Sequence, residues 1–291
     1  MRLMTVSFRC FDLLTPLLAI VMSALLSQQA YCQQRVWSLP QYKEAVRITS
    51  VGWGNSFVRD TYLSQSRYDG WLLDFEFDSW KGSRTDRLFN TGRFHSSLFF
   101  SPLPMTNRLG GGKTFQLGTT AYYAGLWHAV ECSMCDLLIG PAAMFDIDAL
   151  YYVQNSNNPI NGEGYLAAGI CVDNTFRCRI RSYPIALQAT FCMALAGIGI
   201  APDYDMSYWF VYRYGEYGKV LHFISPFNNV ALSHQVALLL PVSNGRLKVG
   251  YSFDFMENRL GGHYTRLYNG SFTLGYAVKF QIREWSRSRE I

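Results

Sequence analysis

Charge is scarce in this sequence. Only 16% of its 291 residues are charged, against roughly 25% in an average soluble domain, so the ionic coat of a water-soluble protein is missing. Long hydrophobic runs are missing too. A helical membrane span needs about 20 consecutive apolar residues; the one stretch that approaches this, Phe11 to Leu26, is broken by Asp12 and Pro16. No linker divides the chain, so a second domain is not indicated. A strong basic excess is lacking: the formal net charge is +5, too modest to point to nucleic acid.

A complete cysteine framework is also absent. Five cysteines follow residue 32, at 132, 135, 171, 178 and 192, and an odd number cannot pair fully. Cys132 and Cys135 have the spacing of a local bridge or redox pair, which the sequence leaves open. Without a second CxxC or a His-rich cluster they do not make a zinc site, and no metal or cofactor is expected. Cys171, Cys178 and Cys192 fall within apolar segments and read as small fillers.

What the sequence has instead is evenly spread apolarity. It is 49% hydrophobic and 16% aromatic, with 19 Tyr, 20 Phe and 24 Gly, while mean hydropathy is +0.00. The broken apolar run, preceded by Arg2 and Arg9 and followed by Ala30-Tyr31-Cys32, reads as a secretory signal peptide over residues 1–32. Its removal takes away two bases and one acid (Arg2, Arg9, Asp12), lowering the charge from +5 to +4.

The mature part, 33–291, alternates with a period of two. Phe272, Leu274, Tyr276, Val278 and Phe280 share one parity, against Ser271, Thr273, Gly275, Ala277 and Lys279. Leu247 to Phe255 repeats it. A helix would scatter these residues around its circumference, whereas a strand places them on opposite faces. The same rhythm sets Leu73, Phe75 and Phe77 against Asp74, Glu76 and Asp78, sets Ile139 to Ile147 against Asp146 and Asp148, and aligns Arg177, Arg179 and Arg181 on one parity.

Strands are expected at 47–58, 70–81, 88–100, 113–128, 136–152, 165–181, 185–194, 206–214, 217–225, 229–242, 246–257 and 268–281. Tight turns at 182–184, 215–216 and 243–245 alternate with longer links at 59–69, 101–112, 153–164, 195–205 and 258–267 and a shorter one at 226–228. That is the pattern of short periplasmic turns and long outer loops. Trp53, Trp71, Trp80, Trp127 and Trp209 sit near strand ends, as in an interfacial aromatic girdle. The fold class expected is all-β: a transmembrane antiparallel up-and-down β-barrel of about 12 strands in a bacterial outer membrane, preceded by the signal peptide. Its partners would be outer-membrane lipid and, during biogenesis, the barrel assembly machinery.

Several segments carry a resemblance. Asp60-Thr-Tyr-Leu-Ser64, Asn155-Ser-Asn-Asn-Pro159, Ala201-Pro-Asp-Tyr204 with Ser207-Tyr-Trp209, Ser225-Pro-Phe-Asn-Asn229 and Leu267-Tyr-Asn-Gly-Ser-Phe-Thr-Leu-Gly-Tyr276 together resemble an uncharacterised family of Bacteroidota outer-membrane β-barrel proteins. The resemblance implies a barrel over almost the whole mature chain and brings no catalytic residues, because the family is a domain of unknown function. Phe210 departs from it, standing where members tend to carry an acid.

Three sets of residues could carry chemistry. The inward charges Asp74, Glu76, Asp78, Asp146 and Asp148, facing Arg93, Arg177, Arg179, Arg181, Arg246 and Lys248, would form either a selectivity lining or a salt-bridged filling of a narrow lumen, and the filling is favoured. His95 and Ser97, two residues apart with Asn107 in the next loop, have the spacing of an outer-membrane lipid hydrolase or acyltransferase. Their parity is that of Arg93, pointing to the lumen rather than to lipid. Tyr62, Asn157, Asn158, Tyr204, Tyr208, Asn228 and Asn229 crowd the outer loops as candidate ligand contacts, though Asn is also a normal turn residue. The reading that follows is a surface binding or structural protein with an unidentified ligand; a lipid hydrolase or a narrow solute channel are the rivals.

Overall fold

The computed structural model describes residues 39–41, 44–83, 88–107, 111–155, 159–180, 183–203, 208–242 and 245–281. The expected signal peptide at 1–32 lies outside them. Among the described residues twelve strands form: β1 Glu44–Asp60, β2 Arg67–Gly82, β3 Thr91–Phe100, β4 Met105–Asn107, β5 Lys113–Glu131, β6 Cys135–Tyr152, β7 Ile160–Ile180, β8 Tyr183–Ile200, β9 Leu221–Ile224, β10 Asn229–Val242, β11 Gly245–Asn258 and β12 Thr265–Gln281.

Ten of them make a closed wall. Each pairs antiparallel with its neighbours in the order β1-β2-β3-β5-β6-β7-β8-β10-β11-β12, and β12 returns to β1. The closing seam runs in register from Glu44 against Gln281 to Asp60 against Thr265. Closure removes both free edges, so the wall leaves no row of unpaired backbone groups. The two short strands lie outside this count: β4 bridges β2 and β5, and β9 pairs with β8.

Burial follows the two-residue rhythm along the wall. In β1 the odd positions from Arg47 to Arg59 face out and the even ones from Ile48 to Asp60 face in, and β6 keeps the same strict alternation from Asp136 to Leu150. The outward residues are large and apolar: Phe272 is 74% exposed, Leu166 62% and Leu274 58%. Trp53 and Trp71 face outward side by side, their rings 5.4 Å apart, and Trp127 is also outward. Trp80 is not part of this girdle. It has the parity of Asp74 to Asp78, opposite to Trp71, and is buried in the lumen. The side chain of Trp209 lies outside the described residues.

The segment 206–225 departs from expectation. Tyr208–Tyr214 is a short helix, Tyr217–Lys219 a single 3-10 turn, and only Leu221–Ile224 is strand. Alternation could not separate a strand from a helix here, because aromatic residues occupy both parities. The physical reason for a helix is that no lane is vacant: β9 and β10 take up the edge of β8. Phe210 and Tyr214, one helical turn apart, bring their rings to 4.4 Å. Gly215, with φ +68°, follows the last helical residue as a left-handed terminator.

The expected tight turn at 215–216 therefore belongs to a long excursion between β8 and β10. Two expected strands drop out together, which preserves the up-down parity of all the others. Connections at one end, 61–66, 101–112, 153–159, 201–228 and 259–264, are six residues or longer; at the other, 132–134, 181–182 and 243–244 are two or three residues long, and 83–90 is eight. Both β1 and β12 have their outer termini at the short-turn end.

Cys171 and Cys192 face each other in register on β7 and β8 and form a disulfide, rather than acting as separate fillers. Their parity is inward on both strands, so pairing was available once the strands were adjacent. Cys132, Cys135 and Cys178 are free thiols.

Candidate functional site

The middle of the lumen is crossed by one connected set of polar side chains. Arg93 on β3 reaches over the barrel to Asp173 on β7 and Thr190 on β8. Its other amino group approaches Gln235 on β10 at 3.1 Å and Asp78 on β2 at 3.5 Å. From the opposite wall Lys248 on β11 donates to Glu76 at 2.8 Å and Asp78 at 3.0 Å. His95 Nδ1 hydrogen-bonds Asp78 Oδ1 at 2.9 Å, and Gln188 and Thr190 both donate to Asp173.

The guanidinium of Arg93 lies 4.5 Å over the ring of Trp80, with Tyr122 at 5.7 Å. Two aromatic faces thus supply attraction that water would otherwise provide. Arg93, Asp78, Asp173, Glu76, His95 and Lys248 are all buried. Buried charges persist only when paired, and here each has at least one partner of opposite sign or a hydrogen-bonding neighbour.

Of the charges expected inside, Asp74, Glu76, Asp78, Asp146, Asp148, Arg93 and Arg177 are buried in the lumen. Asp146 accepts from Thr120 at 2.7 Å and Asp148 from Gln116 at 2.8 Å. Arg177 pairs with Asp136 near the short-turn end. Arg179 has the same parity but is exposed, because β7 runs past the rim there. Arg181 lies outside the described residues.

His95 and Ser97 share the inward face, as expected, and each is spoken for by a different acid. Ser97 Oγ donates to Asp74 Oδ1 at 2.5 Å, and Ser271 binds the other oxygen of that carboxylate at 3.0 Å. His95 stacks on Tyr122 with ring centroids 5.0 Å apart. Both are buried away from the outward face, where a lipid ester would lie. Asn107 sits in β4 and accepts from Gly111 in its own loop at 3.2 Å, so it does not orient the imidazole.

A second cluster closes the long-loop end. Glu163 on β7 accepts from Asn161 at 2.9 Å, Thr265 at 2.7 Å, His263 at 3.1 Å and Asn258 at 2.5 Å. Asp60, the last residue of β1, accepts from Asn161 at 2.8 Å and from the backbone of Tyr62 at 2.8 Å. Asp60, Glu163 and His263 place one ligand-type atom each within 4.8 Å of one another, near enough to hold a cation, yet the protein's own donors engage the same atoms. Burial disfavours a charged imidazole at His263, but the hydrogen bond and charge of Glu163 outweigh it and raise its pKa above the ordinary value. Beside it, Thr61, Gln65, Arg259, Gly262, His263 and Tyr264 line an open depression of about 490 Å³.

The loop residues singled out from sequence divide unevenly. The ring of Tyr62 lies 5.6 Å from that of His263, at the rim of this cluster. Asn228 is a turn residue: its carbonyl accepts from Ser225 N at 2.7 Å and its amide donates to Phe223 O at 2.8 Å. Asn229 is buried at the start of β10. Asn157, Asn158 and Tyr204 lie outside the described residues, as does the side chain of Tyr208. Sequence reasoning missed Asp173 and Glu163, although the parity that turns Arg177 inward turns them inward as well. It also missed His263 and Asp60, which sit at strand ends where alternation stops being informative.

A family model described as "Protein of unknown function (DUF3316)" matches residues 16–284. No curated protein matches the chain. Among solved structures, the outer membrane protease OmpT from Escherichia coli is similar with a TM-score of 0.46 and 9% identity, covering 84% of this chain and 100% of that one. The translocator domain of the autotransporter NalP from Neisseria meningitidis is similar with a TM-score of 0.34 and 8% identity, covering 92% and 95%. The toluene transporter TodX of P. putida follows with a TM-score of 0.23 and 7% identity, covering 86% and 94%.

Proposed function

We propose that this chain, which belongs to the DUF3316 family of proteins of unknown function, is a bacterial outer-membrane barrel with a filled lumen, acting at the cell surface as a binding or structural protein. Residues 1–32 would be its signal peptide and 33–291 the barrel, delivered by the barrel assembly machinery, in an organism of the Bacteroidota. The outward residues support a lipid surrounding, since contiguous apolar surface of this extent is not left in water. Turns of two or three residues predominate at one end, where the wall's own ends Glu44 and Gln281 also lie, and every connection at the other is six residues or longer, which supports an orientation with the long loops outside.

The observation that carries the reading is the bridge from Arg93 to Asp173 and from Lys248 to Glu76 and Asp78. Each spans three strands of the ten-stranded wall, and Gln235 on β10, five strands from β3, links them by accepting from Arg93 and donating to Glu76, so that the set crosses the barrel where a solute path would have to pass. With transport obstructed, the long loops and their mouth become the surface through which such a protein meets its surroundings. The ligand contacts would come from Tyr62 and the asparagine-rich loops.

The test is conductance in planar bilayers. The wild-type chain should be silent, and a variant that empties the bridge, Arg93→Ser with Gln235→Ala and Lys248→Ala, should show stepwise openings. Openings in the wild type would instead favour a narrow channel. Release of fatty acid from phospholipid vesicles, lost in both His95→Ala and Ser97→Ala, would favour a hydrolase.

A further inference from the structure

Arginines gather on the outward face of the wall at the long-loop end. Arg59 on β1 stands directly opposite Arg67 on β2 and, on its other side, directly opposite Arg266 on β12. Three like charges thus lie in one row across adjacent strands, an arrangement that destabilises a sheet by itself. Arg259 joins them from the following loop, and the ring of Tyr264 lies 5.7 Å from Arg59, 5.9 Å from Arg259 and 5.6 Å from Arg266.

Local acids offset only part of this charge. Asp69 pairs with Arg67 at 3.0 Å, and Glu257 pairs with Arg266 at 2.6 Å and Arg259 at 3.6 Å. Four arginines therefore meet two carboxylates, and among the described residues no acid lies within ion-pair distance of Arg59. The row is also open: the side chains of Arg67, Arg266 and Arg259 are 50%, 43% and 70% exposed.

Height along the wall decides what the row meets. Two residues nearer the barrel's middle, Phe57 registers with Tyr268, which registers with Phe255. Below these come Trp53 and Trp71. Aromatic side chains of this kind settle at the boundary between hydrocarbon and headgroups, and two residues of strand raise the arginines by about 7 Å, to the level of the phosphates. Arg67 is held by stacking 3.6 Å over Phe57, so its guanidinium fork is presented at the surface rather than left free to fold back.

We infer that Arg59, Arg67 and Arg266, with Arg259, form a binding site for the phosphate of a lipid headgroup in the leaflet that surrounds the long-loop end. A guanidinium binds phosphate through two parallel hydrogen bonds, and an anion bridging the row converts its mutual repulsion into attraction. The inference rests on the reading that this end meets a lipid leaflet. That reading has its own test, the labelling of a cysteine introduced into loop 259–264 on intact cells.

The site itself is tested in detergent, independently of orientation. The full chain is titrated with bis-phosphorylated lipid A, and with the same glycolipid stripped of its phosphates, and complexes are counted by native mass spectrometry. Each arginine should contribute about fivefold, and Arg59→Gln/Arg67→Gln/Arg266→Gln should weaken binding by about a hundredfold. A control at the opposite end, Arg47→Gln/Lys81→Gln/Lys279→Gln, removes the same charge and should bind as the wild type does. Heat-modifiable gel mobility reports that each barrel is folded, and Arg59→Gln alone serves if the triple variant is not. Equal affinity for the stripped glycolipid, equal loss in the control, or complete displacement of lipid by millimolar inorganic phosphate would each overturn the site.

Discussion

Arg93 is the side chain on which the lumen depends most. It is fully enclosed between Trp80 and Tyr122 and contacts Asp173, Thr190, Gln235 and Asp78. Replacing it by methionine keeps much of the volume but leaves Asp173 as a buried charge without its counterion, at a cost of about 3–5 kcal/mol. Urea unfolding of Arg93→Met in lipid vesicles should show this loss. Adding Asp173→Asn should recover part of it, since the orphaned charge then disappears.

His263 makes a different prediction because it titrates. Its folded-state pKa is raised, so its pair with Glu163 stabilises the long-loop end fully below the ordinary imidazole value of about 6.5. That contribution is lost as pH rises through the raised value. Hydrogen-exchange protection factors of residues 259–264, each rate referred to the intrinsic rate at the same pH, should therefore be high at mildly acidic pH and step down in mild alkali. In His263→Asn the step between the two should vanish; an unchanged step would show that another group is responsible.

Among the elements, the seam of β1 with β12 leaves the least room. A side-chain carbon at Gly54 would stand 1.8 Å from the carbonyl oxygen of Gly270 and 2.6 Å from the Cα of Ser271. Both obstacles are backbone and cannot turn aside. Gly54→Val should push the two strands apart and destabilise the barrel by more than the roughly 1–3 kcal/mol of ordinary overpacking. A lower temperature for loss of the compact gel form would report it.

Element by element, legibility followed burial asymmetry. Strands with oily residues on one parity and small or ionic ones on the other were readable: β10 runs from Asn229 to Val242, the bounds expected. The helix at Tyr208–Tyr214 was not, because Tyr, Trp, Phe and Val on both parities carry no facing information. Trp80 was misplaced by its type, since tryptophan suggests an interface, whereas its parity gave the right side. The central bridge was half legible. Parity named which charges point inward, but partners such as Arg93 and Asp173, 80 residues apart in sequence, depend on lane order and shear, which no local pattern encodes.

At the scale of the whole molecule, the wall and its contents solve one problem together. A small barrel has little interior space, so inward side chains long enough to cross it must meet, and opposite charges let them do so without exposing the interior to free ions. The lumen is packed by ion pairs and hydrogen bonds together with inward apolar side chains such as Ile48, Leu138, Met144 and Leu239, while the exposed apolar surface is on the outside. The electrical silence expected of the wild type belongs to this scale, since it would come from the filled cross-section rather than from any one residue.

The closing seam has a consequence in time. Because the partner of the first strand is the last, a nascent chain cannot finish any stable part of this wall while its end is still being made. Closure must therefore wait for the chain's last strand, and the arrival of Thr265–Gln281 beside Glu44–Asp60 is the moment at which the wall can close.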